Sequence, residues 1–281
     1  MNKVNLASIT SYLLVLACIA GGGFHLYDEK RTASSENDGA SVFHIANAGV
    51  LISAGDQQVL IDGLHQPYRP AYRPTPPAIK AAMLDGAPPF DTIEYILVSH
   101  IHRDHFDAPD VAALLSAQPA ALLVSSNQVV DSLLAVGTHF ANQLQRIAYK
   151  EGAYVTINKK AVTIRAGKVA HGSARFQWIQ NLGHIVEIGG LRFLHVGDPG
   201  FGRADIQQLV AGLQIDVALL PAWFLSEQDG RTVIDEVIKP RHLAFVHVSP
   251  GDEAKLRRLA KQHYPGARVL SKPLEEIRYE N

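Results

Sequence analysis

The sequence predicts a mixed α/β protein with strands and helices in both halves of the chain. Three observations lead there. β-rich runs and helical runs are mixed in both halves of the chain, and no segment recurs at a fixed period. The 281 residues are 47% hydrophobic and 19% charged, which is ample for a core. The net charge of −1 supplies no basic surface, so a nucleic-acid partner is not expected.

The first segment, "MNKVNLASITSYLLVLACIAGGGF", has one early cation, Lys3, and then no charge until Asp28. It reads as a signal peptide or membrane anchor over residues 1–24, followed by a polar tether over 25–40 and a folded domain over 41–281. The run "VLAC" before Gly21 resembles a bacterial lipoprotein signal, with Cys18 as the lipidated residue. A plain secretory cut near Ala20 and a retained helix are the alternatives. Each makes the protein exported, and two of the three hold it at a membrane. Cys18 is the single cysteine, so no intrachain disulfide forms.

"SVFHIANAGVLISAGDQQVLIDG" alternates short β-rich runs with Gly/Asp turns and predicts antiparallel strands ending at Asp62. The proline-rich stretch 64–90 breaks that pattern and reads as a flap, with a helical turn or two around Ala78 to Met83. "TIEYILVS" is a strand. "APDVAALLSA" is a helix that Asp107 is placed to cap, with Asp110 in its first turn. A strand "ALLVSS" and a helix "NQVVDSLLAVG" ending at Gly137 follow. "RIAY", "AYVTI", "AVTIRAGKVA", "HIVEIGG" and "LRFLHVGD" are strand-like. The remainder reads as helix "ADIQQLVAGL", strand "IDVALLPAW", strand "LAFVHVS", helix "DEAKLRRLAKQHY" and a final strand "ARVLS".

Chemistry concentrates in "VSHIHRDHFD". His100, His102, Asp104 and His105 follow an apolar strand directly. Imidazole and carboxylate suit zinc, manganese or iron. In a tight turn, positions i and i+2 can meet at one point while i+4 and i+5 reach another, so one loop can serve two metals.

H-x-H-x-D-H after a strand resembles the metallo-β-lactamase superfamily signature. The other pieces stand in the expected order: Asp62 in "VLIDG", His171 in "KVAHG", Asp198 in "LRFLHVGD" and His247 in "LAFVHVS". The resemblance implies an α+β fold, the αββα sandwich of two mixed sheets flanked by helices. It also implies two divalent ions, zinc before manganese or iron. One would be bound by His100, His102 and His171, and the other by Asp104, His105 and His247. Asp198 would bridge them and Asp62 would support the ligands. The implied activity is hydrolysis, in which a hydroxide held between the metals and oriented by Asp104 attacks an ester, lactone or phosphodiester.

The look is nearest to the ascorbate-6-phosphate lactonase and N-acyl-phosphatidylethanolamine phospholipase D branch, through "SHIHRDHFD" and "NLGHIVEIGGLRFLHVGD". That branch often carries Gly-His-Ala near its first hairpin, where this chain has Asn47 in "IANAGVLI". No cysteine stands at the second metal, and no inserted domain or basic arm is visible, which disfavours antibiotic hydrolysis and RNA cleavage. A small-molecule or lipid substrate is expected, with His184, Tyr68, Tyr72 and Trp223 as possible contacts. Core packing is an equal reading for Trp223 and for His195. An iron-dependent redox or sulfur enzyme of the same fold, or a metal-binding protein without catalysis, are the competing readings.

Overall fold

The computed structural model describes residues 39–281. The signal or anchor segment, Cys18 and all but the last two residues of the tether lie outside the described residues. Among those described, no helix is long and apolar enough to cross a membrane.

The chain opens with β1 (Ala40–Ala46), β2 (Gly49–Ala54) and β3 (Gln57–Ile61), paired antiparallel as expected. Both turns need left-handed backbone, supplied by Asn47 (φ 42°) and Gly55 (φ 58°). After β3 the pairing becomes parallel, through β4 (Ile93–Leu97), β5 (Leu122–Ser126) and β6 (Leu144–Ile147). The crossovers carry α1 (Pro77–Asp85), α2 (Ala108–Ala117) and α3 (Asn127–Val136). Asp107 caps α2 by accepting from Asp110 N–H at 3.1 Å.

The second sheet repeats this plan. An antiparallel set, β7 (Tyr154–Lys159), β8 (Val162–Lys168), β9 (Leu182–Ile188) and β10 (Leu191–His195), leads into parallel strands β11 (Val217–Pro221), β12 (His242–Val246) and β13 (Arg268–Val269). Its helices are α4 (Arg203–Val210), α5 (Trp223–Ser226), α6 (Gln228–Val233) and α7 (Glu253–His263). The chain then returns to the first sheet, where β14 (Glu276–Tyr279) pairs with β1. The strand orders are β14-β1-β2-β3-β4-β5-β6 and β13-β12-β11-β10-β9-β8-β7.

Three apolar layers hold these elements. Val50, Ile52, Leu97, Ile164, Val186 and Phe193 belong to one cluster shared by the two sheets. Leu60, Ile96, Leu115 and Leu133 join the first sheet to α1–α3, and Leu194, Leu220, Phe224 and Leu256 join the second sheet to its helices. The fold is therefore the αββα sandwich.

Four expectations are corrected. The flap's helix is a full nine residues, because Pro77 stands in its first turn, where a missing N–H costs nothing, and Gly86 closes it at φ 62°. The strand over "IDVALLPAW" stops at Pro221, and residues 223–238 form α5, α6 and a π-helical turn at Ile234–Ile238. The strand in "ARVLS" is only two residues long. It is not the last, since β14 follows.

Candidate metal centre

The ligand-type residues all stand just past strand ends, on one rim of the sandwich. In open sheets such a rim is where ligands bind. β3 delivers Asp62, β4 the loop from His100 to His105, β8 His171, β10 Asp198 and β12 His247. Two clusters result, each with its candidate ligand atoms within 4.8 Å of one another: His100, His102, His171 and Asp198, and Asp104, His105, Asp198 and His247. Each cluster takes two residues from either sheet, and Asp198 belongs to both.

His100 Nε2 and His102 Nδ1 are 2.9 Å apart, and His105 Nε2 lies 3.1 Å from Asp198 Oδ1. His247 Nε2 lies 3.2 Å from Asp104 Oδ2 and 3.5 Å from Asp198 Oδ2. Despite this crowding, the Nε2 atoms of His102, His105, His171 and His247 and the Oδ1 of Asp198 are buried without a hydrogen-bond partner. Each such group costs about 1–3 kcal/mol if it meets nothing. Imidazole nitrogen and carboxylate oxygen converging on common points is the donor set that divalent zinc, manganese or iron accepts. The residues fit the ions.

A layer of hydrogen bonds aims these side chains. Asp62 accepts from Ser99 N–H at 2.7 Å, from Ser99 Oγ at 2.6 Å and from His105 Nδ1 at 2.8 Å. With Nδ1 turned to Asp62, Nε2 is the His105 nitrogen that faces the cluster. Ser99 Oγ also lies 3.0 Å from His100 Nδ1. Asn47 Nδ2 donates to both the main-chain oxygen and Oδ2 of Asp104, each at 3.1 Å. The Asn47 carbonyl accepts from His247 N–H at 2.9 Å. Asn181 Oδ1 accepts from Asp198 N–H at 3.1 Å, while its Nδ2 ties down Val169 O and Val196 O. Six non-glycine residues among those described have positive φ, and Asn47, Asp62 and His247 are three of them. Backbone strain thus gathers at this rim, as it does at functional sites generally.

The local field favours positive charge. Burial opposes ionisation of Asp62, Asp104 and Asp198, yet neighbouring histidines, chiefly His105 and His247, hold all three below the usual carboxylate range. Burial likewise opposes a charge on His105 and His247. Asp198 with Asp62 nevertheless holds His105 well above its ordinary value, and Asp198 with Asp104 lifts His247 to about 9. Burial wins at His100, which falls well below its ordinary value, and at His171, which falls to about 4.

The possible substrate contacts separate. Tyr72 meets the His247 ring edge-on at 5.4 Å, and Trp223 meets it at 5.0 Å. Tyr68 stacks on Tyr72 at 6.2 Å, is 42% exposed, and has the guanidinium groups of Arg69 and Arg103 over its ring at 4.9 and 5.3 Å. Arg103 belongs to the ligand loop itself, so the flap is clasped to that loop. The same part of the flap is also tied by the ion pair of Arg73 with Glu253. His184 is 0% exposed on β9. His195 is a satisfied core histidine, with Ala48 O at 3.1 Å from Nε2 and Gly197 N–H at 3.3 Å from Nδ1. Ser99, Asn181 and Phe176 escape sequence reading, as does the role of Asn47. Only the placement of Ser99 beside His100 hinted at a part for any of them. Phe176 packs edge-on against His102 at 4.6 Å and His171 at 5.4 Å.

Fold and site together define a beta-lactamase superfamily protein. The model of the beta-lactamase superfamily domain matches residues 59–263, and the chain belongs to that family. It is 25% identical over 227 residues to a UPF0173 metal-dependent hydrolase of Cupriavidus necator, covering 74% of this chain and 73% of that one. Among solved structures it is similar to a metallo hydrolase of the archaeon Ignicoccus hospitalis, with TM-score 0.61, 17% identity and coverage of 86% and 99% of the two chains. An isothiocyanate hydrolase from Delia radicum gut bacteria gives TM-score 0.61 at 12% identity, with coverage of 86% and 100%. At these identities the two structures speak for the fold alone.

Proposed function

We propose that the protein is a metal-dependent hydrolase that uses two divalent ions, zinc first, to cleave an ester, lactone or phosphodiester. The observation that carries this is the pair of four-residue clusters sharing Asp198, in which Nε2 of His102, His105, His171 and His247 and Oδ1 of Asp198 are buried without a hydrogen-bond partner. The Cupriavidus relative, a metal-dependent hydrolase by name, supports the reaction class. The lactonase and phospholipase D branch remains the residue-based guide to substrate, with Asn47 as its departure.

Bound ions would supply Lewis acidity toward a substrate oxygen and lower the pKa of an attacking water. The chain's own residues do the rest. Asp62 and Ser99 fix the rotation of His105 and His100. Asn47 presents Asp104, the carboxylate placed to orient the attacking water, from which the departing oxygen takes its proton. Tyr72 and Trp223 wall His247 on its ring edges and keep bulk water from it.

Metal analysis of chelator-free protein, followed by a panel of simple esters, lactones and phosphodiesters, tests the reading. Two ions per chain with turnover in one class is the expected result, and Asp198→Ala should hold the second ion more weakly and lose turnover. No uptake of zinc, manganese or iron overturns it. A single bound iron without hydrolysis would replace it with the redox reading.

A further inference from the structure

A cavity of about 370 Å³ opens directly on His171 and Asp198. It is lined by the rings of Phe201 and Trp223 and by main chain at Gly172 and Gly200. A Cβ on Gly172 would lie 2.7 Å from Gly200 N, so these two loops touch backbone to backbone. Apart from His171 and Asp198, the lining has no ionisable side chain. Trp223 is fixed by its Nε1–H, which donates to Pro199 O at 3.1 Å. Phe176, against His102 and His171, adds a third ring near the first cluster. The flap presents the opposite character, with Arg69 and Arg103 over Tyr68.

We infer that this cavity receives an apolar alkyl or aryl group adjoining the scissile bond, which makes the substrate an apolar ester or lactone. The inference rests on the hydrolytic reading above. Ligand pockets run from about 300 to 1,000 Å³. This one is at the small end, sized for one ring or a short chain rather than a long lipid tail. In the reaction, water oxygen bonds to the carbonyl carbon, the ester C–O bond breaks, and the departing oxygen takes a proton.

The test uses metal-loaded full-length protein and two ester series. One lengthens the acid from acetate to hexanoate and phenylacetate as ethyl esters. The other lengthens the alcohol from ethanol to hexanol and benzyl alcohol as acetates. In one series kcat/KM should rise by about fourfold per buried methylene. Trp223→Ala should flatten that rise through KM with metal content unchanged, and Trp223→Phe should keep most of it. A second readout needs no turnover. Trp178→Phe removes the other of the chain's two tryptophans, one that is 61% exposed. Emission from Trp223 should then respond to hexanoate and not to acetate. Flat rates in both series with silent emission overturn the inference. So does a Trp223→Ala protein that loses metal and slows equally on every ester, since the ring would then only pack on His247. Binding of hexanoate with no ester cleaved would keep the cavity and defeat the hydrolytic reading instead.

Discussion

Asn47 performs three tasks at one position. Its left-handed backbone closes the first hairpin, its side chain holds Asp104, and its carbonyl holds the main chain of His247. Asn47→Ala should weaken metal binding at the Asp104 cluster by about 10- to 100-fold, the usual loss when a ligand's partner is removed. The His100 cluster should keep its ion, and stepwise metal titration separates the two. Gly197 is constrained more tightly: φ is +63°, and a Cβ there would lie 2.1 Å from Asn181 Oδ1 and 2.8 Å from Ser99 Cβ. Gly197→Ala should cost about 1–3 kcal/mol in denaturant melts and lower metal content, because it displaces the partners of Asp198, Asp62 and His100 together. The ligand-type residues were legible because four fall within six positions, 100 to 105, and the rest follow strands. Their supports were not, since Ser99, Asn47 and Asn181 are common residue types whose partners lie far away in sequence or were fixed only by folding.

Among the elements, the flap was the segment the sequence described least well. Its prolines argued for irregular chain, and residues 64–76 are irregular, but Pro77 starts α1 instead of stopping it. β14 was missed because "EIRY" is too short to show a period, although its burial alternates along the strand. The antiparallel openings, the buried parallel strands and α2–α4 were readable, being long apolar or alternating runs between clear turn signals. The clasp of Arg103 and Arg69 on Tyr68 carries a prediction at this scale. Tyr68→Ala should raise KM about two- to fivefold, in line with roughly 0.5–1 kcal/mol for an exposed cation–π contact. Metal content should not change. Parallel steady-state kinetics and metal analysis would check this, and a change in metal content alone would assign Tyr68 to site assembly.

At the level of the whole molecule, two sheets of seven strands follow the same plan, antiparallel first and parallel after, and meet over one apolar layer. Metal that binds only the folded state adds stability by mass action. Zinc at a hundredfold its Kd adds about 2.7 kcal/mol. At roughly 2–4 °C per kcal/mol for a domain of this size, the melting temperature should rise by about 5–11 °C. Calorimetry with zinc and with chelator measures it, and equal melting temperatures would mean that no ion is held. The equal contribution of both sheets to each cluster has a mechanical sequel. The ions would act as a latch on one rim of the sandwich, while the opposite rim is joined by the Lys160–Glu94 ion pair and the hydrogen bond from Gly39 N–H to Gly189 O. Chelation should therefore unfasten the halves asymmetrically. Amides beside the ends of β4, β8, β10 and β12 should exchange their hydrogens first, and those at the far ends of the same strands should stay protected until the molecule opens as a whole.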